Sequence, residues 1–97
     1  MYVVIFKATI KEFDEAYSRM AQQLRELAMA EYGCLEFRSI NEDRNEIALS
    51  YWPSLEHIRE WKNDPLHKRA QQMGKDKWYS DFSVEICETK PYSRDFK

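Results

Sequence analysis

Residues 50–71 read SYWPSLEHIREWKNDPLHKRAQ. This segment decides the reading of the chain, because it passes from a strand pattern, through one proline, into two short helical patterns split by a second proline. Just upstream, residues 45–52 (NEIALSYW) alternate, with Ile47, Leu49 and Tyr51 on one side, as a half-buried strand does. Ser54 follows Pro53 and suits a helix N-cap, with His57 three residues on, where a capping box carries Glu or Gln. Leu55, Ile58 and Trp61 then recur at i, i+3 and i+6 and share one helix face. Pro65 interrupts that helix, since the residue before a proline, Asp64, is pushed out of helical torsions. Pro65 itself suits the first turn of a renewed helix in which Leu66, Ala70 and Met73 recur. Two tryptophans and both histidines of the chain fall within this span.

Working outward, MYVVIFKATI (1–10) is rich in β-branched and aromatic residues and reads as a strand. Tyr2, Val4, Phe6 and Ala8 fall on one face, with Val3 and Ile5 on the other, which suits a central strand covered on both sides. Residues 14–32 carry a helical stripe of Ala16, Tyr17, Met20, Leu24, Leu27 and Ala28, with Asp14 placed to cap free N–H groups. Gly33 stands where a left-handed residue stops a helix. Residues 34–42 (CLEFRSINE) alternate and join the next strand through a polar hairpin turn, EDRN. Gly74 is expected to close the last helix. Residues 79–89 (YSDFSVEICET) form a final strand, with Phe82, Val84 and Ile86 set against Ser83, Glu85 and Cys87. The order is β-α-β-β-α-β. That is the α+β, ferredoxin-like split βαβ plan, a four-stranded antiparallel sheet with helices on one face. Apolar residues occur on both faces of the first, third and last strands. A second copy closing over the open face, to make a dimeric α+β barrel around a dry chamber, accounts for that pattern.

With 97 residues the chain is expected to be one domain, with an ordered core over about residues 1–90 and a polar tail over 91–97. Apolar residues at 43% are a globular and not a disordered composition, and aromatics at 14% suit a Tyr-rich core, a cavity lining or a subunit interface. The net charge of −2, without a long run of like charge, argues against nucleic-acid binding. The locally basic span from Arg59 to Lys77 is spaced like the wet side of helices. The RNA-recognition motif shares this topology but needs a glycine-bearing aromatic strand that RNEIALSYW lacks. YVVIF, the longest apolar run, is too short to span a bilayer, so no membrane partner is expected and the cytoplasm is the default. Cys34 and Cys87 show no CxxC spacing and read as reduced, small, buried side chains. With only two glycines, Gly33 and Gly74, there is no GxGxxG, Walker or GxSxG loop to hold a nucleotide or flavin or to present a nucleophile. His57, in a first helical turn, is expected to face solvent. Its ten-residue spacing to His67 matches no metal-ligand pattern.

GCLEFRS, EIALSYWPSLEHIREWKNDPLHKRAQ and WYSDFSVEICET together resemble the antibiotic biosynthesis monooxygenase (ABM) domain family over nearly the whole chain. The most specific part is SYW–Ser–x–Glu–x–Ile–x–x–Trp–x–x–x–Pro–x–His–x–x–Ala–Gln. The resemblance implies ferredoxin-like homodimers whose two sheets pack as a shared barrel. It also implies an activity among cofactor-independent quinone-forming oxygenases, haem-degrading enzymes and quinol oxygenases. In the haem-degrading branch an Asn on the first strand, a Trp on the second helix and a His ten residues later form the site. Trp61 matches that Trp, Gln71 stands in place of the His, and the first strand has no Asn. In the quinone-oxidising branch Asn, Trp, Tyr and Arg side chains hold substrate. Trp61 matches again, with Tyr51, Tyr79 and Arg38 as candidates.

An oxygenase without metal or flavin draws its electrons from the substrate: a deprotonated phenol or hydroquinone passes one electron to O₂. The protein must take the proton, stabilise the anion and exclude water. For that chemistry His67 is the expected base, since an unperturbed imidazole titrates near ~6.5. Trp61 and Trp52 supply flat walls, and Arg38, Tyr51, Gln71 and Tyr79 polar contacts to a small aromatic molecule. No cofactor is expected, and haem only if His67 ligates it. Set beside this is a plainer account: Trp61 is core packing, His67 binds a helix-end carbonyl, and the fold is a ligand-binding or structural dimer without chemistry.

Overall fold

Strand β1 (Tyr2–Ile10) lies between two partners, antiparallel to both β3 (Asn45–Trp52) and β4 (Tyr79–Glu88). β2 (Glu36–Glu42) pairs with β3, so the sheet order is β2-β3-β1-β4. These strands, with helices α1 (Glu15–Glu31), α2 (Leu55–Lys62) and α3 (Pro65–Met73), come from a computed structural model that describes residues 1–90. The arrangement is the ferredoxin-like α+β fold expected from the sequence, with the second helical region divided in two. The tail expected over 91–97 lies outside the described residues.

Register sets which residues meet. Three rows cross the helix-facing side of the sheet: Phe37–Ser50–Val4–Ile86, Ser39–Ala48–Phe6–Val84 and Asn41–Glu46–Ala8–Phe82. One core cluster gathers Val4, Trp52, Ala28, Cys34, Ile58 and Trp61, and a second gathers Ile10, Tyr17 and Trp78. Trp52 is fully buried, and its indole N–H donates to Ser50 Oγ at 2.9 Å, so its one polar atom is satisfied.

Local signals explain the helix ends. Asp14 Oδ1 accepts from the Tyr17 N–H at 2.7 Å and caps α1. Gly33 ends the helix with φ +76, and a Cβ there would stand 2.9 Å from His57 Cδ2. His57 is therefore half-buried against Gly33 rather than facing solvent. Its Nδ1 meets Ser54 Oγ at 2.6 Å, while Ser54 Oγ accepts from the His57 N–H, which makes the pair work like a capping box. Asp64, held extended by Pro65, caps α3 through the Leu66 N–H at 2.8 Å and accepts from the Tyr32 hydroxyl at 2.7 Å.

Two further expectations fail. Gly74 does not close α3: its torsions are helical, and the chain continues in a π-helical turn over Gly74–Trp78. The glycine is needed for space, since a Cβ would stand 2.8 Å from the Tyr79 ring. Cys34 is buried as expected, but Cys87 is exposed, because it sits on edge strand β4 and faces away from the helices. The face opposite the helices carries Ile5, Leu49 and Tyr51, with Ile47 and Ile40 exposed at 45% and 67%. No helix among the described residues is long and apolar enough to cross a membrane.

Candidate functional site

A cavity of about 160 Å³ lies between the sheet and the helical layer. Its position follows from side-chain size. The middle row of the sheet offers only Ser39 and Ala48 beside Phe6 and Val84, and the helices above contribute Ala21 from α1 and Ala70 from α3. Small residues facing small residues leave a void that Val4, Phe6, Leu24, Phe37 and Phe82 surround with apolar surface. This cavity belongs to the helix side of one chain, because that is where the layers fail to fill, whereas the dry chamber expected from the sequence is placed at a seam between two sheets.

Trp61 and His67 enter from α2 and α3, on either side of the Asp64–Pro65 bend. Their rings meet edge to face with centroids 4.4 Å apart. Trp61 also packs on Trp52 at 5.0 Å and Phe37 at 6.1 Å, so it is at once core and cavity wall. Burial pushes the His67 imidazole down to about 4, with Lys62 adding to the effect and Asp64 opposing it. At neutral pH this ring is uncharged and a weaker base than a free histidine; it is suited to hydrogen bonding.

Glu46 was not singled out by the sequence reading. It is only 8% exposed, it lines the cavity, and burial raises its carboxyl above the usual carboxylate range. Its Oε1 is buried and finds no hydrogen-bond partner among the described residues; the same holds for Trp61 Nε1 and His67 Nδ1, and for Trp78 Nε1 in the second core cluster. An unmet buried polar group costs roughly 1–3 kcal/mol, and three of these four belong to residues that line one small cavity. Tyr79, against Phe6 at 5.4 Å, has its phenol pushed well up by burial and by the neighbouring Glu46. A signal for Glu46 existed: it shares its strand face with Ala48, Ser50 and Trp52, opposite Ile47, Leu49 and Tyr51, so the alternation turns a carboxyl toward the helices.

The structure brings His67, Trp61, Gln71 and Tyr79 together around the cavity. Trp52 lies behind Trp61 as core and does not line it. Tyr51 and Arg38 are on the opposite sheet face, where exposed Arg38 pairs with Glu36. Arg25 is the cation that reaches the cavity from α1, with its guanidinium 5.4 Å from the centre of the Phe37 ring. The space beside His67 is smaller than the pockets of about 300–1,000 Å³ that drug-sized ligands occupy. Among the described residues no three His, Cys, Asp or Glu side chains gather as a metal site.

Comparison with known proteins gives a consistent picture. A family model described as Monooxygenase af470-like matches residues 3–88. The uncharacterized protein YqjZ of Bacillus subtilis (strain 168) is 32% identical over 87 residues, covering 89% of this chain and 76% of that protein. In three dimensions, the crystal structure of an antibiotic biosynthesis monooxygenase superposes with a TM-score of 0.76 at 20% identity, covering 94% of this chain and 100% of that one. SnoaB, a cofactor-independent oxygenase from Streptomyces nogalater, superposes with a TM-score of 0.80 at 7% identity, covering 97% of each chain. At these identities the structural likeness is one of fold.

Proposed function

Since the chain belongs to the Monooxygenase af470-like family, we propose that it is a cofactor-independent oxygenase that oxidises a small aromatic, quinol-type molecule in the cavity between sheet and helices. One observation carries the reading: an apolar cavity of about 160 Å³ lined by Glu46, Trp61 and His67, each with a buried polar atom that has no partner among the described residues. The substrate ring stacks against Trp61 and the phenylalanines, which keep bulk water away. Neutral His67, with Gln71 and Tyr79, orients the ring's oxygen substituents. The ring hydroxyl gives its proton to His67 and the ring gives one electron to O₂, leaving a ring radical and superoxide that combine, and no bound redox group takes part.

The reading includes a homodimer formed through the open sheet face, supported by the exposed Ile40 and Ile47 there, and a cytoplasmic setting, in keeping with two free cysteines. Oxygen uptake measured with a panel of hydroquinones and anthrones tests the chemistry. Uptake above background that falls in His67→Ala is expected; no uptake with any member removes the oxygenase reading. The lowered basicity of His67 favours a second reading, in which the cavity binds such molecules without turning them over. Saturable binding with no oxygen consumed would select it.

A further inference from the structure

The cavity is polar at two ends and mostly apolar between them. Along β3 the helix-facing residues run Ser50, Ala48, Glu46, and a strand advances ~3.4 Å per residue, so the ends are separated by two full side-chain repeats. At the Ser50 end stand Phe37, Trp61 and His67. At the Glu46 end stand Phe82 and Tyr79, whose rings are 5.9 Å apart. Phe6, Ala48 and Val84 form a middle row that is apolar but for Ser39 at its β2 end.

The two ends ask for different chemistry. The Trp61 indole can only donate, so it accepts any ligand oxygen, ether or hydroxyl alike. The Glu46 carboxyl offers an oxygen that accepts, and its Oε1 is unmet among the described residues. A hydroxyl can donate to it, whereas an ether or a methyl cannot. The volume of about 160 Å³ is close to the ~150 Å³ at which an engineered apolar cavity takes up benzene, so it suits a single ring.

We propose that Glu46 is the specificity-determining residue of this cavity, pairing with the hydroxyl of a single-ring phenol whose ring occupies the row of Phe6, Ala48 and Val84. The proposal rests on the cavity being the substrate site and narrows the substrate class to monocyclic phenols.

Three probes of nearly one shape test it on the full chain: 4-methylphenol, 4-methylanisole and p-xylene, with affinities read by calorimetry or ligand NMR. The wild-type protein should bind 4-methylphenol about tenfold or more tighter than the other two, tenfold being ~1.4 kcal/mol. Glu46→Leu should abolish that preference while leaving p-xylene bound at least as tightly. Glu46→Gln, which keeps an accepting oxygen, should retain much of it. Equal affinities in the wild type, a preference that survives in Glu46→Leu, or no binding of any probe would each overturn the proposal. If Glu46→Leu does not fold, the carboxyl ¹³C resonance of Glu46 in the wild type decides. It should move with 4-methylphenol and stay put with p-xylene, and a resonance unmoved by either refutes the assignment. Oxygen uptake separates the two readings. Phenol preference without uptake keeps Glu46 and removes the oxygenase, whereas uptake unchanged in Glu46→Leu removes Glu46 and keeps the oxygenase.

Discussion

Acid should destabilise this protein through one imidazole, and the size of the effect follows from its surroundings. His67 is pushed down to about 4 in the folded chain, against an unfolded value near ~6.5. Between those values the unfolded chain binds a proton that the folded chain refuses, so stability falls as pH drops through that window and is intact above it. At about pH 5 the two constants give a loss of about 2 kcal/mol relative to about pH 7.5. Lys62 reinforces the shift and Asp64 opposes it, and both remain in a His67→Phe variant, which also keeps a ring against Trp61. Glu46 acts with the opposite sign. Its raised carboxyl favours the folded state as pH falls, but it does so in both proteins and cancels in their difference. Urea unfolding followed by tryptophan fluorescence, at one protein concentration and at both pH values, gives the comparison. The wild type should lose about 2 kcal/mol more than His67→Phe on acidification. Parallel losses in the two proteins, or an imidazole NMR titration centred near ~6.5, would refute the burial argument.

Other perturbations have equally defined outcomes. Gly33→Ala forces a Cβ into a left-handed residue and against His57, so it should lower the unfolding free energy by roughly 1–2 kcal/mol, read by thermal or urea unfolding. Trp52→Ala removes a fully buried indole behind Trp61 and should cost about 3–5 kcal/mol, with the emission of the remaining tryptophans altered. Ile47→Lys places a charge on the open sheet face, near the β2–β3 turn and beside Lys7. It should leave the monomer's stability within about 0.5 kcal/mol and weaken self-association measured by sedimentation, whereas an unchanged sedimentation profile argues against pairing through that face.

The strand and helix periodicities were legible because each depends on near neighbours in the chain. Asp14, Ser54 and Gly33 mark helix ends by the side-chain and torsional preferences of single residues, and the structure uses all three as expected. Pro65 marked the bend that brings Trp61 and His67 to one place. Gly74 misled because a glycine can serve to end a helix or to admit a neighbouring ring, and only the position of Tyr79 separates the two uses. Arg38 and Tyr51 looked like ligand contacts by residue type, yet the alternation of β2 and β3 turns them to the opposite sheet face from the cavity.

The sequence alone determined the order of elements and the family resemblance, since both are written in local pattern and in a run of residues around Trp61. The tertiary structure decided where the cavity lies, that Glu46 faces it and that the His67 ring is uncharged. Those properties belong to no residue by itself. A void arises where small side chains from separate elements face one another, and a proton affinity shifts only when distant parts of the chain close around the group and remove its water.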